Sequence, residues 1–444
     1  MAPHPLESLR TRNATQAFLR SSSEDPAFCP DSRAPEVVFS ENPFPDMLDR
    51  NDLMRAVMDQ MAHVPLFQVL SVDIEAAVRT AVAAAESTDA AFAAAMAPLA
   101  EFCRTQGGIW GRISCFRFAC VIAEDTPDTP EPAEALRSAY EKAEQFLVFI
   151  GTAAYPTLND TRADIIENAD KALDHGAFFG AGTITRYDAV TQNINGDRLY
   201  QAGNLQGAID AFKKGLRLDP MDANLHNSLG VCYGVLGDFE NALAAFETAI
   251  WLAPDDVMAV YNTGYLLLCQ RDTKAALARF LEANTLEPDV FEVVFHIGQT
   301  WLKMENPEAA QPFLTSAVRV SPRSAPAAAL LGECLEALGQ VHDAIQAYKQ
   351  AVKINPEDAS SLSAMGYLYA SLGESLDVAV LFCEKSVELS PENGLFYHRL
   401  GEVYVRQDRL DDALAAFSAA QSLGYDSQPW METLRARQVA VKAS

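Results

Sequence analysis

Two hydrophobic patterns run along the chain, and they change over near residue 188. In the first half the apolar residues come in short runs. Leu66-Phe67-Gln68-Val69-Leu70-Ser71-Val72 and Phe118-Ala119-Cys120-Val121-Ile122-Ala123 have the length and composition of strands. Between them the alanine-rich stretch from Glu75 to Arg104 favours helix, because alanine loses little side-chain entropy there. Strand and helix alternate, which predicts an α/β or α+β domain over residues 44–188. Residues 1–43 carry Ser21-Ser22-Ser23-Glu24-Asp25-Pro26 and the Pro30 to Pro35 stretch without periodicity, so a loosely ordered segment is expected there.

From residue 189 the pattern repeats. Glycines fall at 196, 230, 264, 298, 332, 366 and 401. Alanines follow at 208, 242, 276, 310, 344 and 413, and large apolar groups at Phe212, Phe246, Phe280, Leu314, Tyr348 and Phe417. Prolines close the units at 220, 254, 288, 322, 356 and 391. This 34-residue order resembles the tetratricopeptide repeat (TPR) family, over residues 189–425 and in seven units. The resemblance implies an all-α region: an α-solenoid of antiparallel helix pairs that binds a protein or peptide in its concave groove. Small Gly and Ala positions let paired backbones approach, and the aromatic is expected to fill the gap between neighbouring hairpins. Proline ends each second helix because it lacks the next donor. One hairpin cannot bury its apolar face alone, so stacked neighbours supply the core. The sixth unit departs, with Cys383 or Phe382 in the aromatic place and one extra residue before Pro391. Residues 426–444, with an amphipathic stretch from Pro429 to Val441, are expected to form a capping helix.

Composition narrows the function classes. The net charge of -26 divides evenly between the two halves, so neither offers the basic surface that nucleic acid requires. No run approaches the roughly 18 apolar residues of a membrane span, so membrane insertion is not expected. The opening Met1-Ala2-Pro3-His4-Pro5 shows no secretory pattern. Eight scattered cysteines without a Cys-x-x-Cys pair read as buried thiols in a reducing cytoplasm. The histidines show no metal spacing, so no metal and no cofactor is expected.

Within the first half, Phe149-Ile150-Gly151-Thr152-Ala153-Ala154-Tyr155-Pro156, then Ala169-Asp170-Lys171-Ala172-Leu173 and Arg186-Tyr187-Asp188, resemble the end of a GGDEF domain, the diguanylate cyclase fold. Gly111-Arg112-Ile113 and the strand from Phe118 match the hairpin that carries that family's name motif. Asp73-Ile74-Glu75 stands where the family has its Asp-x-Asp. Active members condense two GTP molecules with two divalent metals held by carboxylates from these two places. Here the hairpin reads Ser114-Cys115-Phe116-Arg117-Phe118, without its glycines and without its acids. An arginine about 4 Å from a divalent ion is repelled by roughly 8 kcal/mol at an effective dielectric of 20. Two-metal clamping does not survive that. Ala81 replaces the expected guanine-reading Asn, and Ala177 the expected phosphate-binding Lys. The resemblance therefore implies no catalytic residue: a degenerate, inactive cyclase-like domain for docking or dimerisation, with a homo-oligomer among the expected states. The alternative is a sensor that binds GTP or cyclic di-GMP and relays occupancy to the repeats.

The groove floor is expected three residues before and one after each repeat glycine. That rule gives Asn193, Asp197, Asn227, Val231, Tyr261, Tyr265, Phe295, Gln299, Ala329, Glu333, Ser363, Tyr367, His398 and Glu402, with an aromatic centre at Tyr261, Tyr265 and Phe295 and with Asn262 and Glu292 in the wall around it. The competing reading is that these rings pack between helices. The Lys/Asn clamp of TPR domains that grip chaperone C-termini is absent. The expected partner is instead an extended segment with an apolar anchor beside basic residues.

Overall fold

The structure is a computed structural model that describes residues 44–82, 87–124, 132–144, 146–180, 182–373 and 375–443. The segment expected to be loosely ordered, 1–43, lies outside the described residues, and so does Cys29. By packing, the chain divides into two compact units, Met1–Asn262 and Thr263–Ser444.

The first unit opens with a mixed sheet and its helices: α1 (Arg50–Gln60), β1 (Phe67–Asp73), α2 (Glu75–Val82), α3 (Thr88–Thr105), β2 (Ile109–Arg112), β3 (Arg117–Ala123), α4 (Pro132–Glu144), β4 (Phe149–Tyr155), α5 (Arg162–Gly176) and β5 (Ile184–Arg186). The strands lie in the order β2-β3-β1-β4-β5. Among the described strand pairs, β4–β5 is parallel and the other three are antiparallel. Strand β1 is central and covered on both faces, which is why it reads as one apolar run instead of an alternation. Leu70, Val72, Phe118 and Ile122 face a core shared with Phe92, Met96 and Leu136. Phe67, Val69 and Val121 face Val57, Ile165 and Ala169 on the other side. Helix α5 sits almost directly on β4: a Cβ added at Gly151 would lie 2.1 Å from the Ala169 carbonyl oxygen, so only glycine fits.

Seven helical hairpins follow. They pair α6 (Ala189–Gln201) with α7 (Leu205–Leu218), α8 (Ala223–Val235) with α9 (Phe239–Leu252), α10 (Val257–Cys269) with α11 (Thr273–Leu286), and α12 (Phe291–Lys303) with α13 (Pro307–Val320). Then come α14 (Ala325–Ala337) with α15 (Val341–Ile354), α16 (Ala359–Ser371) with α17 (Leu376–Leu389), and α18 (Gly394–Arg406) with α19 (Leu410–Ser422). The repeat glycines meet the large apolar group of their own hairpin. A Cβ at Gly230 would lie 2.6 Å from the Phe246 ring, and one at Gly401 would lie 2.7 Å from Phe417. The same rings also reach the next hairpin, as expected: Phe212 clusters with Leu225 and Leu229, and Phe280 lies 5.7 Å from His296. In the sixth unit the group at the glycine is Cys383, whose Sγ would lie 2.6 Å from a Cβ at Gly366. Phe382 turns instead toward Tyr369, ring centroids 6.2 Å apart.

Helix α20 (Gln428–Ala443) closes the last hairpin. Met431 and Leu434 are buried in the final cluster, and Trp430 stacks on Phe417 at 5.5 Å. Within the first unit, the first repeat is bolted to α5. Lys214 pairs with Asp160 at 2.8 Å and donates to the Asn168 amide oxygen at 3.2 Å. Asp188 caps α6 by accepting the Thr191 backbone N–H.

Candidate functional site

A cavity of about 790 Å³ opens along the first helices of repeats four to seven. Its floor carries small side chains, Ala325, Ala329, Ser360 and Ala364, with Phe295 and Leu330 toward one end and Leu395 and Phe396 toward the other. Three acids and one base lie in its lining besides these, and their environments differ. Glu336 accepts from the Tyr348 hydroxyl at 2.8 Å and pairs with Arg399 at 3.2 Å, so its charge is spent inside the wall. Arg399 also lies 5.4 Å from the Tyr367 ring centroid. Asp358 caps α16, accepting from the backbone and hydroxyl of Ser361. Glu333 is exposed at the cavity and has no ion pair among the described residues. Its carboxyl is pushed up by desolvation and then by the neighbouring Glu336, against the pull of Arg399.

Of the residues expected to form the groove, Phe295, Gln299, Ala329 and Glu333 line this cavity. Asn227, Tyr261, Asn262, Tyr265 and Glu292 do not. Tyr261 and Asn262 are fully buried and Asn227 is 1% exposed, all three in the first unit. The Asn262 amide donates to Asn227 Oδ1 at 2.9 Å, inside the packed interior. That corrects their assignment to an open groove: in α8 and α10 the position three before the glycine lies in a packed seam. Tyr265 is also buried, its ring edge-on to His296 at 5.2 Å. Glu292 is half-buried, and its carbonyl is hydrogen-bonded to the His296 ring at 2.8 Å. Glu336, Leu395, Phe396 and Arg399 are groove residues that sequence reasoning missed. The signal for Arg399 was its charge on a first helix, two residues before Gly401.

The hairpin positions singled out in the sheet region also come together. Ser114, Cys115 and Phe116 make the turn between β2 and β3, and the Phe116 carbonyl accepts from Ile74 N–H at 3.0 Å. Phe116 leans on the apolar core, 6.3 Å from Phe92. Asp73 stands opposite Arg117 in the β1–β3 register, and its Oδ1 caps α2 by accepting Glu75 N–H at 2.9 Å. The Glu75 side chain pairs with Arg79. Arg117 reaches three carboxylates: Asp73 at 3.5 Å, Asp170 at 3.2 Å and Asp174 at 2.7 Å. Desolvation opposes its charge, but Asp174 and Asp170 outweigh that and drive its pKa upward. A cavity of about 320 Å³ adjoins the cluster, lined by Asp73, Glu75, Arg79, Arg117 and Ala177 among others. Two divalent ions do not fit here, because a guanidinium already sits among the carboxylates that would hold them. No group of three or more His, Cys, Asp or Glu among the described residues is arranged to hold a metal ion.

Family models described as "TPR repeat" match residues 196–234 and 335–373, and one described as "Tetratricopeptide repeat" matches 223–256. No curated protein matches the chain. Among solved structures, the chain is similar to YrrB, a TPR protein with an unusual peptide-binding site, at 23% identity over 43% of this chain and 97% of that one, TM-score 0.40. It is similar to PilF of Pseudomonas aeruginosa at 23% identity over 46% and 92%, TM-score 0.42. A tetratricopeptide repeat protein from Parabacteroides merdae shares 18% identity over 55% and 96%, TM-score 0.38. Behind a small mixed-sheet region, the chain thus carries tetratricopeptide repeats, the modules of protein-interaction scaffolds.

Proposed function

We propose that this protein is a cytoplasmic scaffold or adaptor that holds an extended segment of a partner protein in the cavity of repeats four to seven. The sheet region is, in this reading, a GGDEF-like domain without catalysis that serves docking or dimerisation. One observation carries the binding reading: the cavity combines a floor of small residues, apolar walls and the unpaired Glu333. A narrow floor of Ala and Ser admits a peptide backbone, and Phe295 and Leu330 receive an apolar or aromatic anchor. Glu333 calls for a Lys or Arg beside that anchor, and the net charge of -13 over residues 189–444 steers a cationic segment inward. No helix among the described residues is long and apolar enough to cross a membrane.

Labelled peptides that pair one aromatic residue with one Lys test this by fluorescence anisotropy. The cationic set is expected to bind, and the same peptides with Glu in place of Lys are not. Equal binding of the two sets refutes the assignment of Glu333.

The non-catalytic reading is supported by Arg117, which spends its charge on Asp73, Asp170 and Asp174. The adjoining cavity carries Asp73 and Glu75; its two arginines, Arg79 and Arg117, are already paired with carboxylates, and Ala177 stands where the cyclase resemblance implies a lysine. This charge pattern favours docking over nucleotide sensing. Purified protein given GTP with Mg²⁺ or Mn²⁺ is expected to form no cyclic dinucleotide, and product above a no-enzyme control contradicts the reading.

A further inference from the structure

We propose that Arg117 is a built-in counter-cation that stands in for a metal ion among Asp73, Asp170 and Asp174, and that through Asp174 it fastens the first repeat hairpin to the sheet. Backbone geometry brings the four residues together. The β1–β3 register sets Asp73 opposite Arg117. Helix α5 crosses β4 at the Gly151 contact and carries Asp170 and Asp174, four residues apart and hence on one helix face. Each guanidinium nitrogen takes a different carboxylate: Nε meets Asp73, Nη1 meets Asp170 and Nη2 meets Asp174. A planar fork with fixed donors suits that arrangement, and a lysine ammonium does not.

The cation is required by its surroundings. The four side chains are 20–29% exposed, so the carboxylates have little water to screen them from one another. Desolvation pushes the carboxyls of Asp73 and Asp170 up, and Arg117 pulls against it. A divalent ion would serve the same electrostatic purpose, but it repels a guanidinium at this range. The two are therefore alternatives.

Asp174 extends the cluster into the repeats. Its Oδ1 faces Arg117, while its Oδ2 pairs with Arg198 of α6 at 3.1 Å. One carboxylate thus bridges the hairpin of the sheet region and the first helix of the array. The Lys214–Asp160 pair at 2.8 Å is a second, independent tie, so loss of the bridge loosens the joint without separating it.

Manganese binding to the full chain, followed by electron paramagnetic resonance without nucleotide, tests the first claim. Wild type is expected to leave the Mn²⁺ signal at its free level. With Arg117 between them the three carboxylates are not arranged to hold a metal ion; Arg117→Ala, which frees them to converge, is expected to bind one equivalent, and Arg117→Ala with Asp73→Asn to lose it. Hydrogen exchange over residues 189–201 tests the second claim. Arg117→Ala and Arg198→Ala should each speed it by about tenfold, whereas Arg55→Ala, which removes an exposed pair with Asp52, should not change it. Mn²⁺ binding to wild type that Asp73→Asn abolishes overturns the stand-in role, and so does an Arg117→Ala protein that gains no Mn²⁺. Unchanged exchange over 189–201 overturns the fastening. Should Arg117→Ala fail to fold, refolding with and without Mn²⁺ decides: rescue by Mn²⁺ supports the proposal, and no rescue sinks it.

Discussion

Tyr265 and Phe295 occupy neighbouring repeats and both touch the His296 ring, yet their truncation should have opposite consequences. Tyr265 is 9% exposed and lies edge-on to His296, which in turn packs 5.7 Å from Phe280. Tyr265→Ala leaves a ring-sized hole in that cluster. Losing a buried aromatic costs about 3–5 kcal/mol, including the hole left behind. For a folded region of this size, roughly 2–4 °C of melting temperature per kcal/mol gives a fall of about 6–20 °C. Phe295 is only half-buried, and one side of its ring faces the cavity. Phe295→Ala should therefore cost at most about half as much stability. It should instead weaken a cationic aromatic peptide by about 2 kcal/mol, close to thirtyfold in Kd. Calorimetry on the two variants, with peptide anisotropy on each, measures both numbers. A Tyr265→Ala protein that melts like wild type but no longer binds peptide would show that Tyr265 belongs to the groove and that the burial argument is wrong.

The cap and the sheet region carry further predictions. His398 is hydrogen-bonded to Ser427 at 2.7 Å, pairs with Glu402 at 3.1 Å and lies 4.7 Å from the Tyr425 ring, so His398→Ala should speed hydrogen exchange over residues 428–436 and leave 205–218 unchanged. Deleting the chain from Pro429 uncovers Phe417 and should give a protein that self-associates in sedimentation velocity; a monomer would show that α20 is dispensable. Hydrogen bonding by Arg104 holds the Asp46 carboxyl at about 2, below its ordinary 3.8. A depressed carboxylate stabilises the fold above its unfolded pKa and loses that contribution as pH falls toward the folded value. The stability difference between wild type and Asp46→Asn should therefore shrink as pH drops from 4 to 2, and a difference that grows contradicts the assignment.

The repeats were legible because each hairpin restates one contact. A glycine and a ring sixteen residues later touch in Gly230–Phe246 and again in Gly401–Phe417, so sequence spacing and spatial contact are the same fact. Strand β1 was legible because a strand buried on both faces cannot alternate. Groove exposure was not. Tyr261 and Phe295 hold the same place in their repeats, yet one is fully buried and the other half-open, because burial depends on how adjacent first helices pack. Cys383 and Phe382 could not be ranked from the sequence, since the extra residue before α17 shifts the phase by one position. The partners of Arg117 were half-legible. Asp170 and Asp174 share a helix face by spacing alone, but only the seat of α5 on β4 aims that face at the β3 hairpin.

The scaffold reading rests on the cavity of repeats four to seven, and a charge swap across it is its most direct test. Affinities of wild type and Glu333→Lys are to be measured against two peptides that differ only in carrying Lys or Glu beside one aromatic anchor. Wild type is predicted to prefer the Lys peptide, and Glu333→Lys to lose that preference and gain the Glu peptide, with melting temperatures unchanged because Glu333 has no ion pair to break. Identical peptide preferences in the two proteins would contradict the account, since a segment lying in this cavity cannot be indifferent to the sign of the charge at residue 333.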